Sequence, residues 1–115
     1  MKNPFLLLLV ATALIGFNAC SSAAINSVEI TAPSTAKAGE RVAITGIANP
    51  ERGLSFQNNA VTWSIQSGPG SLADITKRSA VYLVPNLSAS TTVVIRATAE
   101  ADPRKFQEAT ITLAP

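Results

Sequence analysis

The 115-residue sequence has no histidine and only one cysteine. Without imidazole, a Ser-His-Asp triad, a Cys-His dyad and histidine metal sites are all excluded. One thiol likewise rules out an internal disulfide and a cysteine-only zinc cluster. Aromatic residues make up 5% of the chain and charged residues 14%. Also missing, beyond the first residues, is any sustained 3.6-residue apolar spacing, so no long amphipathic helix is expected. Most familiar enzyme chemistry is thereby removed, no cofactor is implied, and the length allows a single domain of about 100–200 residues.

The one long hydrophobic run stands at the start. Met1-Lys2-Asn3-Pro4 precedes the apolar segment Phe5–Phe17, which is followed by Asn18-Ala19-Cys20. A basic start, an apolar centre and small residues after it form the pattern of a secretory signal peptide. At ~1.5 Å per residue the run would reach about 20 Å as a helix, short of the ~30 Å hydrocarbon core that a permanent span must cross.

Ala19-Cys20-Ser21 resembles the bacterial lipobox, in which the signal is cut before a cysteine that then carries a lipid on its sulfur. The sequence departs from that pattern at Phe17, where leucine is usual, and at Asn18, where a small residue is usual. Ordinary cleavage after Ala23 or Ala24 is the alternative, and its product would be soluble and lack the cysteine. The lipobox reading divides the chain into a signal over 1–19, a tether over 20–26 and a folded domain over 27–115. It makes membrane lipid, joined through Cys20, the first partner. Losing Lys2 also lowers the formal charge of +2 by one. Lys77-Arg78 and Arg104-Lys105 are too short for a polybasic patch, so nucleic acid is not an expected partner.

The remainder has a period of two. Short β-branched runs recur between turn residues: Ser27–Thr31, Arg41–Ala48, Ala60–Ser67, Ser71–Ile75 as a short edge, Ala80–Val84, Thr91–Ala99 and Gln107–Leu113. The segment from Pro33 to Gly39 reads as turn, and 49–59 as a loop. Gly46 inside its strand predicts a bulge or a close approach of another backbone. About seven such strands in a chain of this size predict an all-β fold, an immunoglobulin-like Greek-key sandwich in which each sheet buries one face. Trp63, the only tryptophan, is the expected core anchor. With no disulfide between the sheets, Ile44 and either Ile95 or Ala97 are expected to fill the space of an immunoglobulin bridge.

Val61-Thr62-Trp63-Ser64-Ile65, the turn Ser67-Gly68-Pro69-Gly70, Tyr82-Leu83-Val84-Pro85 and the terminal Ala109-Thr110-Ile111-Thr112-Leu113 resemble the bacterial immunoglobulin-like domains of surface proteins, group 2 in particular. The likeness runs from about Val28 to Leu113. Leu83-Val84 departs from it where Thr-Ala is common, and the 49–59 loop is longer than usual. The resemblance implies an extracytoplasmic module that serves as a spacer, an adhesion unit or a glycan-binding accessory.

Candidate site residues are few. Asp74, Glu100, Asp102 and Glu108 are the carboxylates near turns. Without a dense acidic run they read as solvated loop acids rather than calcium ligands, with Glu100 and Asp102 the residual metal candidates. Asn86-Leu87-Ser88 matches a glycosylation acceptor, for which chance suffices in such a setting. Phe56 and Phe106 fall in loop-like stretches, where they either contact a protein or glycan partner or fold back over the end of the sandwich. Two functional expectations follow: a non-catalytic envelope lipoprotein acting as a binding or structural module, and a soluble secreted carbohydrate-binding or adhesion module with Phe56, Trp63 or Phe106 as stacking platforms.

Overall fold

In the computed structural model, which describes residues 25–51 and 58–115, alternating residues build eight strands. They are β1 (Ile25–Thr31), β2 (Thr35–Lys37), β3 (Arg41–Pro50), β4 (Val61–Ser67), β5 (Ser71–Ala73), β6 (Ser79–Leu83), β7 (Thr91–Ala99) and β8 (Phe106–Ala114). One sheet has the order β1-β3-β6-β5 and the other β2-β8-β7-β4. Apart from β2, these orders are the A-B-E-D and C-F-G sheets of the immunoglobulin sandwich.

The extra strand is β2, in the segment read as turn. Pro33 cannot continue the β1 ladder, and the chain crosses there to the other sheet. Thr35, Ala36 and Lys37 pair in parallel with Thr112, Leu113 and Ala114. Thr112 N donates to Ser34 O at 2.9 Å and Ala38 N to Ala114 O at 2.8 Å, so the segment is held by a partner far away in sequence. Other strands differ from expectation at their ends. β1 begins at Ile25, inside the expected tether, with a bulge between Ile25 and Ser27. β5 stops at Ala73, which leaves Ile75 56% exposed. Phe106 opens β8 instead of lying in a loop.

Between the sheets lie two packed clusters. The larger centres on Ile44, Tyr82, Val93, Ile95, Ile111 and Leu113, and the smaller on Ile25, Val28, Ala48, Val61, Ala97 and Ala99. Ile44 of β3 and Ile95 of β7 are both fully buried in the larger cluster, while Ala97 belongs to the smaller. Aliphatic packing thus occupies the place of a bridge, each such side chain contributing about 1.5–3 kcal/mol.

Trp63 joins the two clusters. It is half-buried and packs against both clusters, whereas the largest fully buried side chain is Tyr82. The Trp63 ring lies over Gly46, where an added Cβ would stand 2.9 Å from Cη2. The missing side chain in β3 therefore makes room for an indole, and Gly46 pairs regularly with Ile30 with no bulge. Tyr82 donates its hydroxyl to Pro69 O at 2.7 Å. Gly70 (φ 99°) turns the chain so tightly over that ring that a Cβ would meet Cε1 at 2.5 Å. One phenol thereby fixes the β4–β5 turn to the core, and burial raises its pKa.

Candidate functional site

The register of β4, β7 and β8 sets side chains in rows on the outer face of their sheet. Thr92 stands beside Thr112, Val94 beside Thr110, Arg96 beside Glu108 and Thr98 beside Phe106. Across the other flank of β7, Thr98 meets Thr62 and Arg96 meets Ser64. Cross-strand neighbours of this kind stabilise a sheet by tenths of a kcal/mol up to ~1 each.

Within this face Arg96 binds Glu108 Oε2 through Nε at 2.9 Å and Nη2 at 2.6 Å. Its guanidinium carbon also lies 4.0 Å from the centre of the Phe106 ring. The aromatic is 47% exposed, so it neither caps the end of the sandwich nor enters the core. One ring face carries a paired cation and the rest meets solvent. Such a cluster can offer a flat apolar contact with a rim of hydrogen-bonding groups, and at exposed sites the cation–ring term is worth about 0.5–1 kcal/mol.

The β7–β8 turn corrects the reading of Asp102. Its side chain is 8% exposed, while that of Arg104 is 80% exposed. Arg104 donates to Oδ1 from its backbone N (3.2 Å) and Nε (3.0 Å), and to Oδ2 from Nη2 (3.1 Å). Lys105 N closes the turn on Asp102 O at 2.9 Å. The Arg104 guanidinium bond is the main cause of a lowered carboxylate pKa; burial opposes it, and the Arg104 N–H and nearby positive charges add to it. The Arg104 pKa is raised in return, first by that hydrogen bond. Asp102 is therefore a structural acid that shapes the turn, because a buried charge persists only when paired.

Glu100 is exposed and accepts from Asn58 Nδ2 at 2.7 Å. Asp74 pairs with Arg41 at 3.1 Å across two exposed side chains. Among the described residues, no three His, Cys, Asp or Glu side chains gather as a metal site. Trp63 faces inward over Gly46, so it is not a stacking platform. Cys20 and Phe56 lie outside the described residues.

Two open grooves flank β1. One, of about 430 Å³, runs between Asn26–Val28 and Arg104–Gln107. In it Gln107 reaches across and accepts from Ile30 N through Oε1 at 3.0 Å, covering a backbone donor on the β1 edge. The other, of about 390 Å³, lies on the opposite sheet's outer face and is lined by Glu29, Thr31, Thr45, Ile47, Arg78 and Ser79. Neither Arg96 over Phe106 nor the Gln107 plug was singled out from the sequence, although Arg96 falls on the outward side of its strand. Finding the first requires the β7–β8 register and finding the second the packing of β1 against β8, neither of which a local pattern carries. No protein-family model matches the chain, and no curated protein matches it either.

Proposed function

We propose that the protein is a non-catalytic lipoprotein of the bacterial cell envelope, in which Cys20 anchors one immunoglobulin-like sandwich as a binding or structural module for another surface protein or a glycan. The observation that carries this reading is the position of the only cysteine. It follows the apolar run Phe5–Phe17 after two residues, Asn18 and Ala19, and stands just ahead of Ile25, where β1 begins. A chain spans at most ~3.3–3.6 Å per residue, so the domain would ride within about 18 Å of its lipid.

That tether gives the sandwich a direction. Ile25 pairs with Pro50, and Val61 with Ala99, so the β7–β8 turn and the start of β4 share the membrane-facing pole with the start of β1. The turns at Gly39 and Gly68–Gly70 form the distal pole. The strand faces between them, including the Arg96–Phe106 cluster, stand roughly along the membrane normal and are open to partners. Burying acyl chains contributes about 0.8 kcal/mol per CH₂, so a cysteine-linked lipid holds the module at the membrane without a spanning helix.

The test is metabolic labelling with a clickable fatty acid, combined with cell fractionation of wild type and Cys20→Ser. Wild type is expected to carry label and stay with membranes, and the variant to lose both. An unlabelled wild type that is released from membranes as Cys20→Ser is would overturn the proposal.

A further inference from the structure

The pole at which β1 begins is unevenly charged. Glu51 and Glu100 are exposed on its β3–β4 side, where Glu100 N donates to Ala60 O at 3.0 Å and the Glu100 carboxylate accepts from Asn58 Nδ2 at 2.7 Å. The β1–β8 side carries the exposed cations Arg104 and Lys105. Asp102 is already bound on both oxygens by Arg104, and Lys105 acts on it only through space. Lys105 therefore pairs with no carboxylate among the described residues, and residues 1–24 and 52–57, which lie outside them, include no Asp or Glu.

Both cations line the groove of about 430 Å³ between Asn26–Val28 and Arg104–Gln107. Across from them stand the exposed Asn26 amide and Ser27, whose Oγ accepts from Asn49 Nδ2 at 3.2 Å and so keeps its own proton to donate. Phe106, 47% exposed, adds an apolar wall. A free ammonium, amide and hydroxyl donors and a ring edge suit a phosphate ester, with the ionic oxygens on the donors and the carbon next to the ester on the ring.

Position says which phosphate would meet these groups. The groove starts at Asn26, one residue into β1 and six after Cys20. At ~3.3–3.6 Å per residue that keeps it within about 22 Å of the lipid-bearing cysteine. We infer that the groove seats the phosphate of an anionic phospholipid headgroup in the membrane that holds Cys20, so that the β1–β8 side of this pole rests on the bilayer and the module keeps one orientation. The inference rests on the lipid-anchored reading. One unpaired cation gives only about a fivefold preference for an anionic surface, so the contact orients a protein that the lipid already holds and does not replace the anchor.

The test is lysine acylation by N-hydroxysuccinimidyl acetate, read peptide by peptide by mass spectrometry, on protein purified from its own membranes and reconstituted in vesicles. Lys37, close to the distal Gly39 turn, serves as the internal reference. Relative to Lys37, Lys105 is expected to react roughly fivefold slower on vesicles containing phosphatidylglycerol than on vesicles of phosphatidylcholine alone. Asn26→Glu puts a carboxylate in the groove and is expected to make the two rates equal, with thermal unfolding unchanged. Equal rates for wild type, or slowing retained in Asn26→Glu, would overturn the inference. Inorganic phosphate added to the protein in maltoside micelles is expected to leave Lys105 unchanged; slowing there would overturn the lipid as occupant in favour of a free anion. The intact mass of the same sample separates the two readings. A chain lipidated at Cys20 whose Lys105 ignores phosphatidylglycerol overturns the groove alone, whereas a chain without lipid overturns both.

Discussion

Gly46→Ala adds one methyl group on the inner side of β3, directly beneath the Trp63 ring. The new Cβ would stand 2.9 Å from Cη2 and 3.1 Å from Cζ2 of the indole, and 3.4 Å from Glu29 O. Contacts under 3 Å force a displacement, and the ring that must move is held between both core clusters. Overpacking of this kind costs about 1–3 kcal/mol. Against it, alanine loses less backbone entropy than glycine in a strand, a gain of roughly 0.5–1 kcal/mol. The net expectation is a loss of about 1–2 kcal/mol, which for a domain this small lowers Tm by roughly 5–15 °C. Circular dichroism is the natural probe of unfolding, because it reads every corner of a cycle that removes the single tryptophan. A double-mutant cycle with Trp63→Phe isolates the cause, since phenylalanine has no atoms at Cη2 and Cζ2. In that background Gly46→Ala is expected to cost little, with a coupling of at least ~1 kcal/mol. Trp63→Phe also removes the indole Nε1–H, which is buried without a hydrogen-bond partner among the described residues, so part of its lost burial is offset. A Gly46→Ala protein as stable as wild type, or a cycle with no coupling, would refute the packing argument.

Two further substitutions probe the turns. Tyr82→Phe removes the bond to Pro69 O and is expected to cost about 1 kcal/mol in urea unfolding, with the outer sheet faces unchanged. The phenol pKa is raised by burial, so the unfolded chain ionises first as the solution becomes alkaline. Wild-type stability is expected to fall above pH ~10, and Tyr82→Phe to lose that dependence. Asp102 has the opposite sign: its folded pKa lies below the unfolded value of about 3.9, so its stabilisation is present above that pH and lost as acid protonates the folded carboxylate. Asp102→Asn is expected to be less stable at neutral pH and to show a flatter acid limb, read by thermal melts from pH 2 to 7. An acid limb identical to wild type would count against the Arg104 pairing.

Strand alternation made much of the sandwich legible, because Val42-Ile44, Trp63-Ile65, Val93-Ile95 and Ile111-Leu113 each mark a buried face with period two. β2 was hidden because its bonds run to Thr112 and Ala114, and only Ala36 of its three residues is buried. Gly46 was recognised as unusual, but the indole above it belongs to the opposite sheet. The surface was harder to read than the core. Asp102 resembles any loop acid in sequence, and its burial arises from the fold of the β7–β8 turn around it. Phe106 reads as a loop aromatic until the β7–β8 register sets it beside Thr98, with Arg96 over its ring.

The intact mass of the mature protein, with sequencing of its N-terminal peptide, tests the central claim most directly. The anchored-module account predicts a chain that begins at Cys20 and carries a lipid mass on that residue. An unmodified chain that begins at Ala24 or Ile25, at the very start of β1, would contradict it.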